Sequence, residues 1–211
     1  MSNKIFCIIG KSSSGKDTIY QKLLGQEDLK LHRVIMYTTR PIRDREEDGR
    51  EYHFTSVETF RQLQEEGKVI ESRHYDTVYG RWYYYTVDDG RVDLTRGSYL
   101  VPGVLASYIA MRDYYGDGPD GRPIVVPIYV EVEDGLRLMR AIHREQGQTV
   151  PKYEEMCRRF LTDTADMSDE KLAAAGIERR FENNGALEDC IAQIRALILE
   201  ETGAEHEGNL S

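Results

Sequence analysis

The chain has 211 residues, enough to bury one good core and better suited to a single domain with an insertion than to two separate domains. With 37 acidic against 28 basic residues its net charge is −9, which leaves no broad basic face for a nucleic-acid backbone. No apolar run reaches membrane-spanning length, and Met1 to Lys4 lead straight into the first strand without a charged-then-apolar leader. Cys7, Cys157 and Cys190 lack metal-ligand spacing, and Cys7 and Cys190 sit in apolar patterns as small core fillers, so the expectation is a reduced, soluble, cytoplasmic protein.

Ile5–Ile9 is a short apolar, β-branched run bounded by glycine, the pattern of a buried parallel strand. Gly10, Lys11, Ser12, Ser13, Ser14, Gly15 and Lys16 then follow the spacing G-x-x-x-x-G-K, with a helix expected over residues 17–24. Such a loop turns backbone N–H groups toward a polyphosphate, the helix N-terminus adds its positive end, and Lys16 reaches the outer phosphates. The hydroxyl that usually follows the lysine and ligates Mg²⁺ is replaced by Asp17, with Thr18 next. Asp17 reads either as a hard-oxygen metal ligand or as an acidic first-turn residue that suits the helix dipole.

Farther along, residues 31–37 form a strand pattern, and the charged run 44–50 must be an exposed loop. A short strand is expected over 51–55, then a helix over 57–66 capped by Ser56 and stopped by Gly67. Strands follow over 68–75 and 79–87 with a turn at Asp76-Thr77, and then a helix near 88–91. Core-type strands over 99–101 and 124–132 flank a helix over Leu105–Tyr115, and the second of these runs is the best candidate for a central strand. Helices over 134–143 and 152–166 carry a basic segment. A last strand closes at Phe181, and an amphipathic helix over 186–201 precedes a polar tail. Strand–helix alternation after a phosphate loop implies a parallel sheet wound on both faces, and the short strands between 36 and 88 read as an insertion.

Arg40 and Arg43 stand just past a strand end, with Tyr52 nearby. Two guanidinium forks and a phenol suit a phosphate monoester, while surface pairing with Asp44, Glu46 and Glu47 fits the same residues. Arg137, Arg140, Arg144, Arg158 and Arg159 fit a solvated helical face paired with Glu145, Glu154 and Glu155.

Thr38-Thr39-Arg40-Pro41-x-Arg43, Gly49-x-x-Tyr52-His53-Phe54, Val69-Ile70-Glu71 and Tyr79-Gly80 resemble the guanylate kinases, P-loop nucleoside monophosphate kinases, in order and spacing. The resemblance spans nearly the whole chain, from Gly10 through the arginine-rich stretch 140–159 to Asn183. It implies one α/β domain, 1–211, of the three-layer P-loop NTPase fold with a central parallel sheet. The core would be 1–35 and 89–211, a small inserted α+β subdomain for the nucleoside monophosphate would be 36–88, and a helical lid would be about 137–160.

The implied reaction is phosphoryl transfer from ATP, with Mg²⁺, to GMP or dGMP. Its partners would be small nucleotides rather than nucleic acid or membrane, in a monomer or homodimer. By position, Arg40, Arg43, Tyr52 and Tyr79 would hold the acceptor phosphate, with Gly80 and Arg81 alongside. Glu71 would accept hydrogen bonds from the guanine N1–H and amino group. Arg140, Arg144 and Arg159 would close on the donor phosphates, and Asn183 would lie on the adenine side. Three positions depart from the family pattern. Met36 replaces a serine that donates to guanine O6, Arg81 replaces the serine after Tyr-Gly, and Val101-Pro102-Gly103 stands where an aspartate is expected. An unpaired buried O6 costs about 1–3 kcal/mol, and Tyr37, Arg73 or Arg81 are alternative donors. These departures keep two other readings open: a kinase of the same fold for another nucleotide or a ribose phosphate, and a catalytically weakened binding module.

Overall fold

The computed structural model describes residues 3–44, 46–77 and 80–203. The larger of its two sheets contains β1 (Ile5–Ile9), β2 (Leu31–Arg33), β7 (Ser98–Pro102), β8 (Val125–Glu131) and β9 (Arg180–Glu182), in the order β2-β7-β1-β8-β9. All its pairings are parallel. The smaller sheet contains β3 (Tyr37–Thr38), β4 (His53–Phe54), β5 (Val69–Thr77) and β6 (Gly80–Val87), ordered β4-β3-β6-β5 with antiparallel β3·β6 and β5·β6 pairs. The helices are α1 (Lys16–Leu24), α2 (Val57–Glu65), α3 (Leu105–Tyr115), α4 (Asp134–Gln146), α5 (Tyr153–Asp166), α6 (Asp169–Ala174) and α7 (Leu187–Thr202).

Every residue of β1 is buried, and its alternating side chains divide between the two faces of the sheet. Ile5, Cys7 and Ile9 join Leu105, Tyr108 and Met111 of α3, whereas Phe6 and Ile8 join Ile19 and Leu23 of α1 and Ile194 of α7. Burial of a large apolar side chain is worth about 1.5–3 kcal/mol, which makes this central strand the anchor of three layers. Burial pushes the Cys7 thiol up to about 12 and the Cys190 thiol up to about 11, as expected of core fillers. The smaller sheet has its own core, where Phe60 of α2 stacks on Tyr83 at 4.4 Å beside Tyr85 and Val87.

Several expected elements change form. The run 31–37 is not one strand: β2 stays in the large sheet, β3 belongs to the small one, and Val34 and Met36 are buried in the connection. No helix forms near 88–91, because the Asp89 carboxylate instead accepts from the Arg91 backbone N–H and the Tyr37 hydroxyl. Asp76 and Thr77 lie inside β5 rather than in a turn. β8 is an interior strand, but the middle place belongs to β1. The short helix α6 and a 3-10 turn at Glu27–Leu29 have no counterpart in the sequence reading.

Candidate active site

The phosphate loop is tightly braced. A side chain at Gly10 would meet Ser14 Oγ and the Val130 carbonyl at 2.7 Å, and Gly15 has φ +88°, so both positions need glycine. The Asn183 amide, buried just past β9, donates to the Ser14 carbonyl at 2.8 Å and so holds the loop against the sheet. Ser13 Oγ and Ser14 Oγ are buried and make no hydrogen bond. Lys16 is paired with the exposed Asp17 carboxylate at 2.7 Å, Lys11 lies 3.8 Å from Asp134, and Thr18 is exposed on α1.

Above this loop, α4 and α5 enclose a cavity of about 340 Å³. Ser12, Ser13, Arg43, Arg137, Arg144 and Arg159 all contribute to its lining. Arg159 donates to Ser12 Oγ at 3.3 Å. Arg140 does not line it and instead donates to the Asn183 carbonyl at 2.9 Å. Glu145 is not an arginine partner on a solvated face. It is buried and accepts from the Lys152 backbone N–H at 3.0 Å, which ties the end of α4 to the start of α5, and only Arg158 makes the expected surface pair, with Glu155.

In the smaller sheet Arg40 is 3% exposed. Its guanidinium clamps Glu46 through two 2.9 Å hydrogen bonds and lies over the rings of Tyr52 and Phe54. This selects Glu46 from the three acidic neighbours that the sequence leaves open. Tyr52 faces inward and lines a second cavity of about 430 Å³ with Asp17, Arg33, Met36 and Pro102. A bulge between Val69 and Glu71 sets Glu71 opposite Thr86, and its carboxylate accepts from Thr86 at 3.0 Å and from Ser107 of α3 at 3.1 Å. Arg73 donates to Ser107 at 2.7 Å, and its Nη2 lies 4.0 Å from Met36 Sδ.

Three comparisons bear on this arrangement. The sequence model of a family described as Guanylate kinase matches residues 2–85. The guanylate kinase of Porphyromonas gingivalis is 28% identical over 198 residues, spanning 92% of this chain and 96% of that protein. The guanylate kinase of Zymomonas mobilis subsp. mobilis is 39% identical over 77 residues, 36% of this chain and 35% of that one. The chain is thus similar to guanylate kinases along nearly its whole length. Among solved structures, guanylate kinase from Anaplasma phagocytophilum shares the fold, with a TM-score of 0.55 and 21% identity over 95% of this chain and 87% of that one.

Within this guanylate kinase fold the sequence-selected residues fall into three groups. Gly10 to Lys16, Arg43, Arg144 and Arg159 gather around the first cavity or the loop beneath it. Arg40, Tyr52 and Glu71 are inward-facing parts of the segment 36–88. Arg81 belongs to neither, because it pairs with Asp76 at 2.7 Å on the exposed end of the hairpin beside Gly80. Tyr79 lies outside the described residues. Of the alternative donors, Tyr37 donates to Asp89, Arg81 is committed to Asp76, and Arg73 gives Nη1 to Ser107 and Glu71 while its Nη2 lies beside Met36. Arg137 and Asp163 were not selected from the sequence as site residues. Their only signal is spacing, one helical turn before Arg140 and one after Arg159.

Proposed function

We propose that this chain transfers the terminal phosphoryl group of ATP to a nucleoside monophosphate, with GMP or dGMP as acceptor and Mg²⁺ as the metal. The observation that carries this reading is that Arg43, from the loop after β3, lines the same cavity as Ser12 and Ser13 of the phosphate loop and Arg144 and Arg159 of the helical pair. Phosphoryl transfer asks the protein for positioning and for neutralisation of charge spread over the transferred group. Cations reaching one cavity from three parts of the chain supply both. The guanylate kinase relatives support GMP as the acceptor.

In this reading the core is 1–35 and 89–211, residues 36–88 bind the acceptor, and about 137–160 form the lid. The amides of Gly10 to Gly15, the Lys16 ammonium and the unpartnered Ser13 and Ser14 hydroxyls hold the donor phosphates. Arg144 and Arg159 neutralise the charge of the transferred group, and Arg140 with Asn183 shapes the nucleoside end. Arg40, Arg43, Tyr52 and Tyr79 grip the acceptor phosphate. Glu71 accepts from the purine N1–H edge, and Arg73 replaces the missing serine as donor to the 6-oxo group.

The residues fit magnesium held mainly through substrate oxygens. Among the described residues no three His, Cys, Asp or Glu side chains cluster, and Asp17 offers one exposed carboxylate at the loop. When bound, the ion neutralises and aligns the donor phosphates. No described helix is long and apolar enough to cross a membrane, and nucleotide chemistry of this kind suits a cytoplasmic enzyme acting as a monomer or homodimer.

The test is ADP release from Mg-ATP across a panel of nucleoside monophosphates and ribose phosphates. GMP or dGMP should give the fastest turnover. A faster ribose phosphate or other nucleotide would remove the acceptor assignment, and no ADP with any purine monophosphate would remove the reaction.

A further inference from the structure

Arg137 is fully buried on the inner face of α4. Its guanidinium lies over the Phe160 ring at 3.8 Å, and its Nε and Nη2 are committed to Asp134, with Nη2 also donating to Thr164. Nη1 makes no hydrogen bond, although the side chain lines the cavity above Ser12 and Ser13. The carboxylate it approaches, Asp163 Oδ2 at 4.0 Å, accepts the Ser12 backbone N–H at 2.6 Å. Asp163 on α5 therefore places an anionic oxygen on the phosphate loop, facing a buried cation that has one donor to spare.

We propose that Arg137 is a further donor-phosphate ligand, and that Asp163 is an internal anion standing where a phosphate oxygen of the donor binds. The proposal rests on the phosphotransferase reading of this cavity. A buried donor without a partner carries a desolvation cost that an incoming phosphate oxygen removes. A phosphate oxygen on the Ser12 amide displaces a carboxylate of like charge, and Arg137 Nη1 then turns from Asp163 to the phosphate. Because Asp163 is carried by α5 and Arg137 by α4, this exchange couples occupancy of the phosphate loop to the setting of the helical pair. Phe160 keeps the guanidinium plane in place while its partner changes.

Calorimetric titration of the full chain with Mg-ATP, inorganic tripolyphosphate and AMP tests this, with thermal unfolding of each variant alongside. Arg137→Met keeps the apolar stem and should weaken ATP and tripolyphosphate by about tenfold, the scale of one charge-assisted contact, while leaving AMP nearly unchanged. Arg137→Lys should recover part of that loss. Asp163→Asn should tighten tripolyphosphate several-fold, and it decides the matter by itself if Arg137→Met does not fold. Arg137→Met binding ATP as tightly as the unaltered chain, or weakening ATP and AMP equally, overturns the role of Arg137. Asp163→Asn weakening tripolyphosphate overturns the exchange. If the unaltered chain binds neither ATP nor tripolyphosphate, the inference falls together with the phosphotransferase reading.

Discussion

At the phosphate loop and the helical pair above it, Ser13 Oγ, Ser14 Oγ and Arg137 Nη1 are buried without hydrogen-bond partners. In the segment 36–88 the polar groups are already occupied: Arg40 holds Glu46, and Glu71 receives Thr86 and Ser107. A buried group left unpaired costs about 1–3 kcal/mol and marks a place where a ligand atom is welcome. A group already paired can bind a ligand only by exchanging one partner for another, so its affinity for the ligand is a difference between two interactions. The phosphate loop thus keeps free polar groups beside two, the Ser12 N–H and Lys16, that must exchange Asp163 and Asp17, whereas every group of Arg40 and Glu71 named above can bind only by exchange.

Four substitutions or conditions break or sharpen this contrast, in descending size. Lys16→Ala should lower kcat by about 10²–10³-fold, as loss of a preorganised charge-stabilising donor does. Circular dichroism should be unchanged, and substantial residual turnover would show that the donor cup is not the reacting site. Arg40→Ala should cost about 1.5–3 kcal/mol in acceptor kcat/KM, the range of hydrogen bonds to charged groups. An unchanged acceptor KM would mean that Arg40 serves Glu46 alone.

Arg73→Met should erase about 1–3 kcal/mol of preference for 6-oxo over 6-amino purine monophosphates. If selectivity survives Arg73→Met but is lost in Glu71→Gln, the base is read by Glu71 without Arg73. The smallest effect is one of pH. The Arg40 hydrogen bond, ahead of other causes, holds the Glu46 carboxyl below its ordinary value of 4.5. A depressed carboxylate stabilises the fold above its unfolded pKa, and that contribution disappears as pH falls through the folded one. The melting temperature of the unaltered chain should therefore fall more steeply than that of Glu46→Gln as pH drops below about 5. Parallel curves would show that the pair adds nothing to stability.

Most of the core was legible in the sequence. The unbroken apolar run of β1 demands burial on both faces, and Leu105–Tyr115 has the bounds its pattern announces. The segment 31–37 misled because an unbroken strand pattern carries no mark of the point where the chain passes from one sheet to another. Asp88 to Arg91 misled because a local Asp89 side-chain bond outweighed helix formation.

The presence and local turn of the phosphate loop were determined by the sequence alone, since two glycines, their spacing and a lysine specify them, whereas its bracing by Asn183 and Val130 came only with the tertiary structure. The partners of the charged side chains were decided only by the tertiary structure. Asp163 reaches Ser12 across 151 positions, and Arg140 reaches the Asn183 carbonyl across 43. A guanidinium or carboxylate binds whichever complementary group packing brings within about 3 Å, and spacing along the chain holds no information about that.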